Sequence, residues 1–172
     1  LWLTEQTRDH FDDVVAAREL RSQAADLMSV LQDAETGQRG FLLTRDRSYL
    51  EPYDRAGREL EQRLTQLSRA GVAEPPLQER IDGLAATMRA KMAELAETVA
   101  LTERGDTDAA LALVREGRGK VLMDDARRKL SEIIAWSEAA LRDAIADQER
   151  ASLWLSWVTI GGAVIILGLA GA

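Results

Sequence analysis

Between residues 35 and 40 the chain reads Glu-Thr-Gly-Gln-Arg-Gly: a carboxylate, a hydroxyl, an amide and a guanidinium interleaved with two glycines. These side chains can ion-pair and hydrogen-bond, but none of them is a nucleophile beside a base. A glycine inside a helix costs up to about 1 kcal/mol against alanine. Gly37 and Gly40 are three apart and share a helix face, so they imply a notch that something fills, or a bend. Glu35, Thr36, Gln38 and Arg39 then read as a polar knot within a helical assembly. Lys91, Lys120 and Asp124, all on later helices, are its candidate partners. Buried polar groups need partners in any fold, so the knot reads equally as a static device that fixes register and as a ligand pocket.

The other residue types narrow the chemistry. The chain has no cysteine and one histidine, which excludes disulfides and thiol catalysis. His10 is flanked by Asp9, Asp12 and Asp13 and reads as part of a solvated helix face rather than a metal ligand. No Glu-x-x-His pair is present for a di-metal carboxylate site. Glu116-Gly117-Arg118-Gly119-Lys120 lacks the spacing of a phosphate-binding loop, and no buried strand precedes it; Gly117 and Gly119 read instead as a hinge between two helices. A net charge of −7 leaves no basic stripe for nucleic acid. The expectation is a segment that is not an enzyme and carries neither metal nor cofactor.

The elements that must position the knot are helical. Of the 172 residues, 46% are hydrophobic and 30% charged, with only 3 prolines and 5% aromatics, which argues against many short strands. A first helix runs from about residue 5 to 43, with Ala24, Leu27, Leu31, Ala34, Gln38 and Phe41 on one stripe. Ser48 and Glu51 resemble a capping box and Pro52 suits a first turn, so a second helix spans about 49–70. Gly71 ends it and Pro75-Pro76 turns the chain. The third helix covers about 77–104, with Ile81, Leu84, Ala85, Met88, Met92, Leu95, Val99 and Thr102 facing inward. Gly105-Asp106 introduces a short helix over 107–115 that buries Ala110, Leu111 and Val114. A long last helix carries Leu122, Ala126, Leu130, Ile133, Ser137 and Leu141 to about Gln148.

From Leu153 to Ala172 there is no charged residue, enough to cross a bilayer of about 30 Å. Trp154 and Trp157 sit at its polar end, as interfacial residues do. Leu1-Trp2-Leu3 reads as the last turn of an earlier span, and both ends of the chain as cuts through a longer polypeptide. The expected organisation is residues 1–3 as the end of a first transmembrane helix, 4–150 as an extracytoplasmic domain, and 151–172 as a second transmembrane helix. The fold class is all-α: an antiparallel four-helix bundle with long first and last helices, the last continuing into the membrane. An even number of crossings puts Glu35–Thr44 at the membrane-distal end.

The run Glu35-Thr-Gly-Gln-Arg-Gly-Phe-Leu-Leu-Thr44 resembles the third class of CHASE domain, as do Tyr49-Leu-Glu-Pro-Tyr53, Lys91-x-x-Glu94-Leu95 and Gly117-Arg-Gly-Lys-Val-Leu-Met-Asp124. Phe41 stands where tyrosine is common. The resemblance covers about residues 10–145. It implies an extracytoplasmic sensory module of a bacterial transmembrane receptor, most often a two-component histidine kinase. Its partners would be the lipid bilayer of the inner membrane, a second copy in a homodimer, and an unidentified small ligand or partner protein. Diguanylate cyclases and chemoreceptor-like proteins use the same module. The alternative of another kind is a passive dimerisation spacer between two spans.

Overall fold

The computed structural model describes residues 2–71, 74–139 and Arg142, with side chains from Val15 onward except that of Ala70. Every regular element among the described residues is helical: α1 (Trp2–Thr44), a 3-10 turn (Arg47–Leu50), α2 (Glu51–Gly71), α3 (Pro75–Glu103) and α4 (Thr107–Arg115), then α5 over 118–139. At 43 residues α1 is about 65 Å long.

A rod of that length is stable only when its apolar stripe is covered. Leu20, Ala24, Leu27, Met28 and Leu31 of α1 meet Leu60, Leu64 and Leu67 of α2, Leu77–Met88 of α3 and Met123–Ile133 of α5 in one buried cluster. Cross-helix pairs give the directions. Glu61 with Arg89 and Ser68 with Gln78 run α2 against α3. Arg80 with Glu132 and Thr87 with Asp125 run α3 against α5. Glu35 with Lys91 and Arg45 with Thr102 make α1 and α3 co-directional.

Three local expectations are corrected. The cap after α1 is Asp46, whose carboxylate accepts from the Ser48 amide; Ser48 itself lies inside the 3-10 turn, so the Ser48/Glu51 box does not form. In α4 only Ala110 is buried and Val114 is 40% exposed, because a helix of nine residues makes only about two and a half turns and covers one short strip. On α5 the buried residue is Met123 rather than Leu122. The Asp106 cap is present, accepting from the Ala109 amide.

No helix among the described residues is long and apolar enough to cross a membrane. The expected span over 153–172, Trp154 and Trp157, Leu141 and residues 143–148 lie outside them; the side chains of Trp2 and His10 do too.

Candidate functional site

The last two turns of α1 meet the α1–α2 turn and the second half of α3, and the first turn of α5 rests on α3. The glycine notch has an occupant. A methyl group on Gly37 would collide with the carbonyl oxygen of Tyr49, and one on Gly40 with the Tyr49 ring. Tyr49 is carried there by the 3-10 turn that Asp46 caps, and the amide of Ser48 holds the Asp46 carboxyl below its ordinary range. Arg45 fixes the same turn from the other side. Its φ of 62° is the only positive value at a non-glycine residue among the described residues. Its amide closes α1 on the Phe41 carbonyl at 2.8 Å, and its guanidinium donates to the Thr102 carbonyl near the end of α3. A cation at a helix C-terminus is favourably placed against the helix dipole.

Behind this turn α3 presents a buried polar column. Thr87, Lys91, Glu94, Thr98 and Thr102 recur at spacings of three and four, and all are buried. Thr98 and Thr102 donate to the carbonyls of Glu94 and Thr98, at 3.1 and 2.8 Å, which satisfies each hydroxyl within the helix. The ionic centre is Lys91, 1% exposed. Its ammonium donates to Glu94 Oε2 at 2.7 Å and to Glu35 Oε1 at 3.1 Å. Arg39 reaches the same Glu35 oxygen at 3.1 Å from an exposed position. One carboxylate of α1 and one of α3 thus share a buried cation, with a second cation on the rim.

Gly119 closes the third side. A Cβ there would lie 2.7 Å from Lys91 Nζ and 2.8 Å from both carboxylate oxygens of Glu94, so the backbone of α5 rests directly on the ion pair. Gly117, two residues earlier, has φ 75°, which glycine reaches at no steric cost. Gln38 is 3% exposed and its Nε2 finds no protein partner.

The structure therefore brings Glu35, Arg39 and Lys91 together, while Gln38 is buried on α1 three residues after Glu35. Thr36 is exposed and bonds to its own helix at Gln32. Lys120 and Asp124 pair with each other at 2.6 Å on the exposed face of α5, and none of the described hydrogen bonds or ion pairs joins either to Glu35, Gln38 or Arg39. Glu94 is the member that reasoning from side-chain types missed; its signal was the i,i+3 spacing from Lys91 within an apolar stripe. Among the described residues, open grooves elsewhere include one of about 520 Å³ where Gln23 and Asp26 face Arg63 and Gln66 and one of about 360 Å³ around Gly83 and Lys129.

Residues 11–147 match the CHASE3 domain family. The chain belongs to that family. A crystal structure of the Rhodopseudomonas palustris histidine kinase HK9 sensor domain is similar to the CHASE3 chain described here, with 28% identity and a TM-score of 0.68 over 73% of this chain and 98% of that one. A comparison with curated proteins finds no match.

Proposed function

We propose that this CHASE3 chain is the extracytoplasmic input module of a bacterial transmembrane receptor, whose cytoplasmic output is that of a two-component histidine kinase. The observation that carries the reading is the family match across residues 11–147, joined by the likeness to a histidine kinase sensor domain. In this reading α1, α2, α3 and α5 form an antiparallel four-helix bundle. α1 follows a first span ending at residues 1–3, and α5 continues into a second span over 151–172. The bundle faces the periplasm or extracellular space, with the Glu35–Thr44 end far from the bilayer and a homodimer as the working unit. A shift of α5 against α1 and α3 reaches the cytoplasm because both outer helices enter the membrane. Gly117 absorbs the bend and Gly119 rides on the Lys91 pair.

The chain's lack of cysteine makes the placement directly testable. Leu43 is 81% exposed, so a Leu43→Cys receptor should react in intact cells with a maleimide that cannot cross the inner membrane. Labelling only after lysis sinks the placement. Deleting the bundle with helix phase preserved then separates input from spacer: loss of stimulus-dependent output is expected, and retained output means a passive spacer.

A further inference from the structure

The open groove between α1 and α2 holds charge that the fold itself does not use. Glu19, Gln23 and Asp26 of α1 form one wall and Arg63, Gln66 and Arg69 of α2 the other, around about 520 Å³. Residues three and four apart share a helix face, so each wall reads charge, amide, charge. The helices run in opposite directions, and the packing of Gly40 against Tyr49 sets their register. One residue back on α1 for each residue forward on α2 brings Gln23 level with Gln66 and Asp26 level with Arg63. Arg69 comes level with Leu20, one residue from Glu19. Opposite charges are therefore level at both ends of the groove, yet none of the described ion pairs crosses it. Arg63 turns along its own helix and donates from Nε and Nη2 to Glu59 Oε2, at 3.1 and 2.8 Å. Glu19 is held along α1 by the Gln23 amide at 2.8 Å. The side chains of Asp26, Gln66 and Arg69 take part in none of the described hydrogen bonds or ion pairs. The uncommitted groups are thus a carboxylate at one end, an amide midway and a guanidinium at the other end.

We infer that this groove binds a zwitterionic dipeptide, with its ammonium on the Asp26 carboxylate, its carboxylate on the Arg69 guanidinium and its peptide group beside Gln66 and Gln23. The spacing selects the length. From the level of Leu20 to that of Asp26 is about 9 Å along the axis, and packed helices lie about 8–10 Å apart. The two charges therefore sit diagonally across an interval of about 12–13 Å. One residue spans about 3.5 Å and two span about 7 Å. With a hydrogen bond of about 3 Å at each end, a dipeptide bridges the interval and a free amino acid falls short. The chemistry selects the ends. A guanidinium meets a carboxylate through two parallel bonds, and Glu59 already neutralises Arg63 where the ammonium would lie. The inference deepens the sensor reading by naming a ligand class for the input module. Binding is measured directly, so its failure leaves that reading standing, and a failed maleimide placement leaves this site standing.

The test is an NMR titration of the full chain in a non-ionic detergent, followed at the side-chain amides of Gln23 and Gln66. The probes are Ala-Ala, free alanine, and Ala-Ala acetylated at its amino end and amidated at its carboxyl end. Ala-Ala should move both amides along a saturating curve, with a Kd of about 1 mM or tighter. Alanine and the doubly capped peptide should bind at least about fivefold more weakly, the effect of losing one exposed charge contact. Asp26→Asn and Arg69→Gln, both at exposed positions, should each weaken Ala-Ala by about the same factor. Shifts that do not saturate overturn the inference. So does equal binding of the capped peptide or of alanine, or undiminished Ala-Ala binding in either variant. If a variant does not fold, the three probes on the native chain decide alone.

Discussion

The helical body has two interiors of different kind. Around Leu27, Leu31, Leu67, Leu84 and Met88 it is apolar, each of these side chains at most 1% exposed. Around Gln38, Lys91, Glu94, Thr98 and Thr102 it is polar and just as closed, with no member above 3%. Apolar burial is non-directional and grows with area, so helices packed that way tolerate small slides. A buried ion pair is satisfied in one geometry only, and removing one partner leaves an uncompensated charge. The first interior supplies cohesion; the second fixes which residues of α1, α3 and α5 are level.

The largest expected effect breaks the polar interior. Lys91→Ala leaves the carboxylates of Glu35 and Glu94 without their shared cation and should cost about 3–5 kcal/mol in urea unfolding. Lys91→Met combined with Glu94→Leu removes both charges on α3 and should recover most of that loss. A Lys91→Ala cost below about 1 kcal/mol, the range of exposed pairs, would show that water reaches the pair and that the two interiors are not alike in closure. The matching test of the apolar interior is Leu84→Ala, expected to cost about 2–5 kcal/mol from lost transfer energy and the cavity left behind. If Leu84→Ala costs less than about 1 kcal/mol, below the usual range for such truncations, the apolar half is loosely packed and the contrast collapses.

How much of this is legible from residue types alone depends on whether the decisive contact is local. The inward faces of α2 and α3 follow from period, as Leu60, Leu64, Leu67, Ile81 and Leu84 show. The notch at Gly37 and Gly40 is legible as a spacing. Its occupant is not, because Tyr49 is delivered by a 3-10 turn whose cap is Asp46 rather than Ser48. Lys91 and Glu35 could be suspected as partners. Their meeting depends on the offset of 56 residues between α1 and α3, which no local pattern encodes. Lys120 and Asp124 carried the right charges for the knot. Four residues apart on one helix, they satisfy each other first.

Glycines sharpen the comparison with opposite signs. Gly37→Ala drives a methyl into the Tyr49 carbonyl, a backbone atom that cannot rotate away, and should destabilise by about 1–3 kcal/mol. Gly57, in α2, has nothing within 4 Å of its Cβ position, so Gly57→Ala should stabilise by about 0.5–1 kcal/mol. Equal effects at the two positions would mean that the Tyr49 notch is not closely packed.

A comparably small effect lies at the margin between the interiors, where α5 meets α3 outside the closed core. Asp125, its side chain 29% exposed, accepts from Lys129 at 2.7 Å and from Thr87 at 2.8 Å, and also pairs with Arg128. The Lys129 bond, then that of Thr87, hold its carboxyl down at about 2 against an ordinary 3.8. A depressed folded-state pKa contributes stability that is fully present above the unfolded value and is lost as pH falls through the folded one. Asp125 should therefore contribute about 1 kcal/mol after solvent screening at neutral pH, and that contribution should fade between roughly pH 4 and pH 2. Carboxyl NMR titration reads the pKa directly, and Thr87→Val, which deletes one donor and keeps Lys129, should raise it. Titration of Asp125 near its ordinary value would show that the Lys129 bond is not maintained in solution. The junction of α3 and α5 would then be held by the buried Lys91 contact and the apolar cluster, without help from its exposed edge.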